Sequence, residues 1–237
     1  MSTVNAAEVD KFSRIADEWW DENGKFKPLH QLNPVRLSYI REQAIKHFAL
    51  PDNFKPFKGL KVLDVGCGGG LLTEPMARLG ANITGIDASE KNISVAKARL
   101  AKTGLNIDYR AGKVEEMTEK FDIILNMEVV EHVADQKLFL ESCAKLLNPK
   151  GLMFLATINR TPKSFAFAII GAEYVLRLLP RGTHDWKKFP KPSELNSILE
   201  SHLKLQDMKG VHYNPFSGSF SIVDDVSVNY MMLYAST

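Results

Sequence analysis

The 237-residue chain is poor in cysteine and has no large excess of charge of either sign. Its two cysteines, Cys67 and Cys143, form neither a C-x-x-C pair nor a zinc-finger spacing. A disulfide-stabilised scaffold is therefore excluded, and a reducing compartment is expected. The formal net charge is +2, and no block of lysine and arginine stands out. A protein that binds nucleic acid through a basic surface is not expected either.

Long hydrophobic runs are also missing. A membrane-spanning helix needs roughly 18 or more consecutive apolar residues, and no segment of the chain reaches that length. Residues 1–10 are polar and lack the apolar core of a signal peptide. There is no internal repeat and no low-complexity tract. These absences predict a cytoplasmic, globular protein with a single domain, to which at most a small additional segment is attached.

What the chain does contain is a regular alternation of strand and helix patterns. Short apolar segments predict strands at residues 60–65, 81–87, 106–110, 121–127 and 152–158, with helices between most of them and a turn at 148–151. Ser89 is placed to cap the helix after the second strand. This order predicts an α/β fold with a doubly wound, mostly parallel sheet. Two further strands, at 203–211 and 226–234, are expected to add a C-terminal antiparallel pair, which gives seven strands.

The ends of this pattern suggest the domain organisation. Residues 1–58 are predicted to form an N-terminal helical cap or lid, with a helix at 9–21 and a second helix at 35–48 after Pro28 and Pro34. Residues 59–237 are predicted to form the α/β domain. A helical insertion is expected after the fifth strand, at about residues 161–191.

A glycine loop follows the first predicted strand. Gly66, Gly68 and Gly70 give G-x-G-x-G, whereas the dinucleotide pattern G-x-G-x-x-G would place its last glycine where this chain has Leu71. Asp64 precedes the loop, where a carboxylate suits an ammonium group and disfavours a phosphate. Two alternatives remain open at this point, a tight turn that needs glycine only for packing and a nicotinamide-dependent oxidoreductase.

A second acid, Asp87, ends the second predicted strand about twenty residues further on. A carboxylate at this position can accept hydrogen bonds from both hydroxyls of a ribose. The alternative is that it only caps the following helix. Together, the loop and Asp87 indicate a ligand that contains adenosine, bound at the carboxyl edge of the sheet.

The last residue of the fourth predicted strand and three residues that follow it are candidates for the rest of the site. Met127 would end the strand beside the adenosine pocket or lie in the core. Glu128, Glu131 and His132 stand at i, i+3 and i+4, so they would share one face if the segment is helical. They suit a divalent cation such as Mg²⁺, or His132 or one glutamate acts as a general base. A third interpretation is a helix start whose acids complement the macrodipole.

The motifs together resemble those of class I S-adenosylmethionine-dependent methyltransferases, and more narrowly the ubiquinone-biosynthesis O-methyltransferases. The general motifs are VLDVGCGGG at 62–70, GID at 85–87 and MEVVEHV at 127–133. The narrower motifs are WWD at 19–21, FKPLH at 26–30, LNPVR at 32–36, GAEY at 171–174, GTHDWKKF at 182–189, HYNP at 212–215 and NYM at 229–231. The resemblance covers residues 12–234, nearly the whole chain.

This resemblance implies a Rossmann-like fold and S-adenosylmethionine as the cofactor. It implies that Arg36, Gly66, Asp87 and Met127 line the cofactor site, to which the loop adds Asp64 and Gly68. It also implies a Mg²⁺ site at the E-x-x-E-H residues and two O-methylations in ubiquinone synthesis, of a polyprenyl-hydroxyphenol and of 3-demethylubiquinol. The chain departs from the general pattern after the third strand, where Lys113 replaces an acid that contacts adenine. A backbone contact near Val114 is expected instead.

The substrate implied by the resemblance carries an isoprenoid tail that resides in membrane. The apolar segment 164–179 is followed by Arg181, Lys187 and Lys188, a composition suited to the membrane interface. We expect peripheral association with the inner face of the cytoplasmic membrane and assembly with other enzymes of ubiquinone synthesis. The alternatives are an insertion packed over the site, an enzyme for another small phenol, or a non-catalytic cofactor-binding scaffold.

Overall fold

Strands and helices alternate from residue 61 onward in the computed structural model, which describes residues 2–166, 186–214 and 217–236. The strands are β1 (Lys61–Val65), β2 (Asn82–Asp87), β3 (Asp108–Ala111), β4 (Phe121–Met127), β5 (Leu147–Ile158), β6 (Leu203–Asn214), β7 (Ser219–Val223) and β8 (Asn229–Ser236). They form one sheet in the order β3-β2-β1-β4-β5-β8-β6-β7. Strands β1 to β5 pair in parallel, and β8 pairs antiparallel with both β5 and β6.

The helices are α1 (Ala6–Arg14), α2 (Lys27–Phe48), α3 (Thr73–Arg78), α4 (Glu90–Leu100), α5 (Gln136–Lys145), α6 (Pro162–Ser164) and α7 (Pro192–Leu199). Single 3₁₀ turns lie at Ala16–Glu18, Val114–Glu116, Val130–His132 and Trp186–Lys188. Ser89 caps α4 by accepting the N–H of Asn92, as predicted. None of the described helices is long and apolar enough to cross a membrane.

The core lies on both faces of the sheet because alternate residues of each strand point to opposite sides. On β5, Leu152 and Phe154 pack with α2, α3 and α4, whereas Met153 and Leu155 pack with α5 and α7. Both sets are almost completely buried. A parallel strand covered on both faces is apolar throughout, which is why the strands were recognisable in the sequence.

The doubly wound α/β fold is confirmed, with eight strands rather than seven. The additional strand, β7, forms a hairpin with the far end of β6, which continues to Asn214. The predicted turn at 148–151 is instead a bulge at the start of β5. The pairing with β4 shifts register there, between the pairs Phe121–Leu147 and Ile123–Leu152, and Lys150 adopts a φ of 61°.

The N-terminal helices have different bounds from those predicted. Helix α1 begins earlier because the Asn5 side chain accepts the N–H groups of Ala7 and Glu8, and it ends at Arg14. Helix α2 begins at Lys27, since Pro28 in a first turn removes no helical hydrogen bond. Pro34 is accommodated inside the helix. Tyr39, Ile40 and Ala44 of α2 lie in the same core as β1, and the domain boundary at residue 58 stays a prediction.

Residues 2–26, which we call the N-terminal arm, lie against the carboxyl edge of the sheet. The predicted insertion at 161–191 is described only at its two ends, and residues 167–185 lie outside the described residues. The motif at 171–174, residues 182–185 of the motif at 182–189, and Pro215 of the motif at 212–215 fall outside them as well.

Candidate active site

The glycine loop between β1 and α3 is held by its own hydrogen bonds. The N–H groups of Gly66 and Cys67 both donate to the carbonyl of Ile86, at 2.8 and 3.0 Å, and Gly70 donates to Cys67. Gly68, with a φ of 55°, donates to a carboxylate oxygen of Asp87 at 2.9 Å. A phosphate-binding loop presents its N–H groups to the ligand. Because these four are already used, the loop is not built for a pyrophosphate.

Asp87 joins the loop to helix α4. One carboxylate oxygen accepts the Gly68 N–H, and the other accepts the N–H of Ser89 at 2.8 Å and the side-chain amide of Asn92 at 3.2 Å. Burial raises the pKa of Asp87, and these hydrogen bonds oppose the rise. The carboxylate is therefore fixed in place at the end of β2, where a ribose would lie.

Asp64, at the start of the loop, is more deeply buried than Asp87. Its carboxylate accepts a hydrogen bond from the Thr73 hydroxyl at 2.5 Å. Burial raises the pKa of Asp64 to about 7, and the negative charge of Asp87 contributes to the rise. A cationic group beside these two acids would be favoured and an anionic one disfavoured, which argues against the dinucleotide alternative.

A cavity opens at this edge of the sheet. Its volume is about 150 Å³. Gly66 and Asp87 line one part, and Glu128 and His132 line another. Its remaining walls come from the N-terminal arm, α4, the segment 112–114 and the start of α5.

The arm covers the glycine loop through Trp19 and Trp20, and Trp19 also lines the cavity. A Cβ atom on Gly68 would lie 2.3 Å from the Trp19 ring, so only glycine allows the indole to approach this closely. Trp19 stacks on Phe26 with centroids 3.7 Å apart and donates its ring N–H to Asn92 at 3.0 Å. Trp20 donates its ring N–H to the carbonyl of Gly69 at 2.9 Å.

Arg36 and Glu128 form an ion pair at the end of β4. The Arg36 side chain is buried, and its Nε has no hydrogen-bond partner. Glu128 has a left-handed backbone with a φ of 58°, so the segment does not continue as a helix from residue 128. The shared helical face considered for Glu128, Glu131 and His132 is therefore not formed, because only Val130–His132 makes a 3₁₀ turn.

Glu131 is completely buried, and neither of its carboxyl oxygens makes a hydrogen bond of good geometry, although the side chains of Thr157 and Glu128 lie close to it. Burial raises the pKa of Glu131 well above its usual value, and the nearby Glu128 carboxylate raises it further. An unpartnered buried carboxylate is costly. This one requires either a proton or a cation beside it.

His132 lies on the cavity wall and contacts the arm. Its Nδ1 is 3.2 Å from a carboxylate oxygen of Glu8, and its ring meets Phe12 edge-on with centroids 5.0 Å apart. The hydrogen bond from His132 lowers the pKa of Glu8 to about 2, with a further contribution from Lys188. His132 thus pairs with Glu8, whereas Glu128 pairs with Arg36.

The structure brings some of the predicted residues together and not others. Gly66, Asp87, Glu128 and His132 line the cavity, while Asp64 and Gly68 support it from behind. Met127 is half-buried and packs against the core instead. Sequence reasoning missed Glu8 and Asn92. For Glu8, the only signal in the sequence was its helical spacing from Phe12. For Asn92, it was the position three residues after the Ser89 cap.

A parallel sheet with this strand order, an acid before the glycine loop and an acid ending β2 is typical of class I methyltransferases. A model of the methyltransferase domain family matches residues 63–155. The structure of magnesium protoporphyrin IX methyltransferase from Synechocystis PCC 6803 with bound SAH is similar in fold. Its TM-score is 0.67 at 18% identity, over 98% of this chain and 96% of that one.

Two relatives are similar over almost their whole length. The ubiquinone biosynthesis O-methyltransferase of Pelagibacter ubique (strain HTCC1062) is 53% identical over 234 residues, which cover 98% of each chain. That of Chelativorans sp. (strain BNC1) is 57% identical over 237 residues, which cover 98% of this chain and 94% of that one. The chain belongs to the family of ubiquinone biosynthesis O-methyltransferases. It is an S-adenosylmethionine-dependent enzyme.

Proposed function

We propose that the chain transfers the methyl group of S-adenosylmethionine to a phenolic hydroxyl of polyprenyl substrates, namely 2-polyprenyl-6-hydroxyphenol and 3-demethylubiquinol. The observation that carries this proposal is that Asp87 and His132 line the same cavity. We assign the ribose of the cofactor to Asp87 and the proton of the phenol to His132. The names of the relatives support the choice of pathway.

The reaction is an in-line displacement in which a phenolate oxygen attacks the sulfonium methyl and S-adenosylhomocysteine leaves. The main contribution of the protein is to hold oxygen, carbon and sulfur in line. The arm excludes water through Trp19 and Trp20. A phenol has a pKa near ~10, so a proton acceptor is needed, and we assign this role to His132. Arg36, with its unpartnered buried Nε, is suited to pair with the methionine carboxylate.

The proposal also includes a divalent cation in the active site. The unpartnered oxygens of Glu131 and the neighbouring Glu128 carboxylate are the oxygen donors that Mg²⁺ prefers, and Mg²⁺ keeps several waters beside one or two carboxylates. His132 is directed to Glu8, and no group of three His, Cys, Asp or Glu side chains in the described part of the chain could hold a metal ion. We propose that Glu128 and Glu131 hold Mg²⁺, which when bound would lower the pKa of the phenol.

Methyl transfer to short-chain analogues of both phenols tests the function. We expect methylated product and S-adenosylhomocysteine in equal amounts, detected by mass spectrometry. His132→Ala should bind the cofactor and lose turnover, whereas Glu128→Gln should lose the response to added Mg²⁺. Full turnover of the wild type in EDTA would remove the metal role. Cofactor binding without transfer to any catechol would favour the scaffold alternative, and transfer only to phenols without a prenyl tail would favour a different substrate.

We propose that the insertion docks on an anionic membrane surface and brings the quinol head to the cavity. At the described edge of this segment, the Phe165 side chain is exposed. Docking would also place the chain beside other enzymes acting on the same intermediates, and we propose assembly with them, which co-purification tests. Co-sedimentation with anionic vesicles tests docking. The proposal is wrong if a folded variant without residues 165–179 still pellets with them.

A further inference from the structure

Helix α1 presents two side chains to the ring of His132. Glu8 and Phe12 are four residues apart, so they lie on one helix face. The Glu8 carboxylate lies 3.2 Å from Nδ1 of the imidazole, and the Phe12 ring meets the imidazole edge-on. The orientation of the His132 ring is therefore set by the N-terminal arm, which is more than a hundred residues distant in sequence.

The Glu8 carboxylate is itself held from other directions. Lys188 donates to its second oxygen at 3.0 Å, and the Lys11 ammonium lies 3.7 Å away. Its side chain is only 16% exposed. These two cations favour the ionised form of Glu8, and an ionised carboxylate can only accept hydrogen bonds. Nδ1 of His132 must therefore carry the donated hydrogen, which leaves Nε2 as the ring nitrogen available to a ligand.

We propose that Glu8 is a positioning residue for methyl transfer, which orients the imidazole of His132 from the arm so that Nε2 faces the phenol. This inference rests on the proposed function, because it assigns His132 the contact with the phenol. It also makes methyl transfer depend on docking of the N-terminal arm, since the His132 ring is oriented only when α1 packs against it. Carboxylates that orient metal-bound histidines contribute about 10- to 100-fold in activity, and we expect an effect of this size for Glu8.

A purely structural role for Glu8 in holding the arm is the competing explanation. The arm has other attachments that do not involve His132. The Thr3 backbone N–H and hydroxyl both donate to Glu115 at 2.8 Å, and the Ala134 N–H donates to the Thr3 carbonyl at 2.8 Å. If Glu8 acts only through His132, its removal should have no consequence once the imidazole is gone. If it only holds the arm, its removal should matter equally in both backgrounds.

A double-mutant cycle separates the two explanations. The variants are Glu8→Ala, His132→Ala and the pair, with Asp10→Ala as the matched control. Asp10 is an exposed acid of the same helix that pairs with Arg14. We expect Glu8→Ala to lower kcat by about 10- to 100-fold, with the calorimetric Kd for S-adenosylmethionine changed by less than about twofold. The double variant should be as slow as His132→Ala alone, and Glu8→Gln should recover part of kcat because its amide oxygen still accepts.

An unchanged kcat in Glu8→Ala, or losses that multiply in the double variant, would overturn the inference. A wild-type chain that binds S-adenosylmethionine but methylates neither phenol would instead overturn the proposed function, and this inference with it. A second measurement does not require activity. Long-range ¹H–¹⁵N spectra of the histidine rings, with His132 assigned from its alanine variant, should show hydrogen on Nδ1 of His132 in the wild type and a change of tautomer in Glu8→Ala. Identical spectra would contradict the proposal.

Discussion

Replacing Arg99 should loosen the N-terminal arm, whereas replacing Arg78 should not. Both arginines bind the buried Glu74 carboxylate, Arg78 from within α3 and Arg99 from α4. Only Arg99 also covers an arm residue, because its guanidinium lies 4.1 Å from the centre of the Trp20 ring. The ring N–H of Trp20 is bonded to Gly69, so Arg99 clamps the arm directly onto the glycine loop.

The expected size of the effect follows from these contacts. A partly exposed cation–π contact contributes about 0.5–2 kcal/mol, and Arg99 is about 39% exposed. A loss of about 0.5–2 kcal/mol would raise the population of the open arm by about 2- to 30-fold, since ~1.4 kcal/mol corresponds to a factor of ten. Arg78→Ala removes an i,i+4 pair worth only about 0.3–0.5 kcal/mol, and that pair lies inside one helix.

Hydrogen exchange of the α1 amides measures the open population directly, and the dissociation rate of S-adenosylhomocysteine reports its consequence. We expect faster exchange in α1 and faster product release for Arg99→Ala, with Arg78→Ala close to the wild type in both. Equal exchange rates in the two variants would refute the clamp. They would mean that the ion pairs with Glu74, and not the contact between the Arg99 guanidinium and the Trp20 ring, stabilise the docked arm.

Three further predictions concern residues that line the cavity or lie behind it. Asp87→Asn should weaken S-adenosylmethionine binding by about 10- to 100-fold in calorimetry, because hydrogen bonds to a charged group are worth ~1.5–3 kcal/mol. The same substitution at the exposed Asp224 should leave the binding unchanged. Trp19→Phe should lower the stability of the docked arm by about 1–3 kcal/mol, because it leaves the buried Asn92 side-chain carbonyl without a hydrogen bond. The α1 amides should then exchange faster, and unchanged exchange would contradict this prediction. The pKa of Asp64 is raised to about 7 from ~3.9 in an unfolded chain, so the folded protein holds a proton that the unfolded chain has lost. The contribution of Asp64 to stability without cofactor should therefore be fully present below pH ~4 and be lost as the pH rises through 7. Urea unfolding between these pH values should show a smaller loss in Asp64→Asn than in the wild type, and an equal loss would be inconsistent with the assignment.

The central part of the fold could be predicted because its signals are local. A strand buried on both faces is apolar along its length, and a glycine loop between strand and helix is read directly from neighbouring residues. Asp64 and Asp87 were identified for the same reason. Strand β7 was missed because Ser219–Val223 is an edge strand of only five residues with largely exposed side chains, and its alternation of serine with Phe220 and Ile222 is too short to distinguish a strand from a loop.

The contacts of the arm could not be predicted from local patterns. Glu8 meets His132 across 124 residues of sequence, and Trp19 meets Asn92 across 73. Such pairs form only after the arm has folded over the sheet edge, and polar residues on a half-exposed helix give no periodic signal of their partners. The spacing of Glu128, Glu131 and His132 was a misleading local signal, because the left-handed backbone at Glu128 interrupts the assumed helix.

The fixed carboxylate of Asp87 has a consequence for how the enzyme responds to its own product. Its oxygens are held by Gly68, Ser89 and Asn92, and the ribose that we propose they bind is the same in S-adenosylmethionine and S-adenosylhomocysteine. The two molecules differ only by one methyl group and one positive charge at sulfur, so this end of the cavity discriminates little between them. We expect the enzyme to be a sensor of methylation potential, whose rate in the cell follows the ratio of the two compounds more closely than the amount of either.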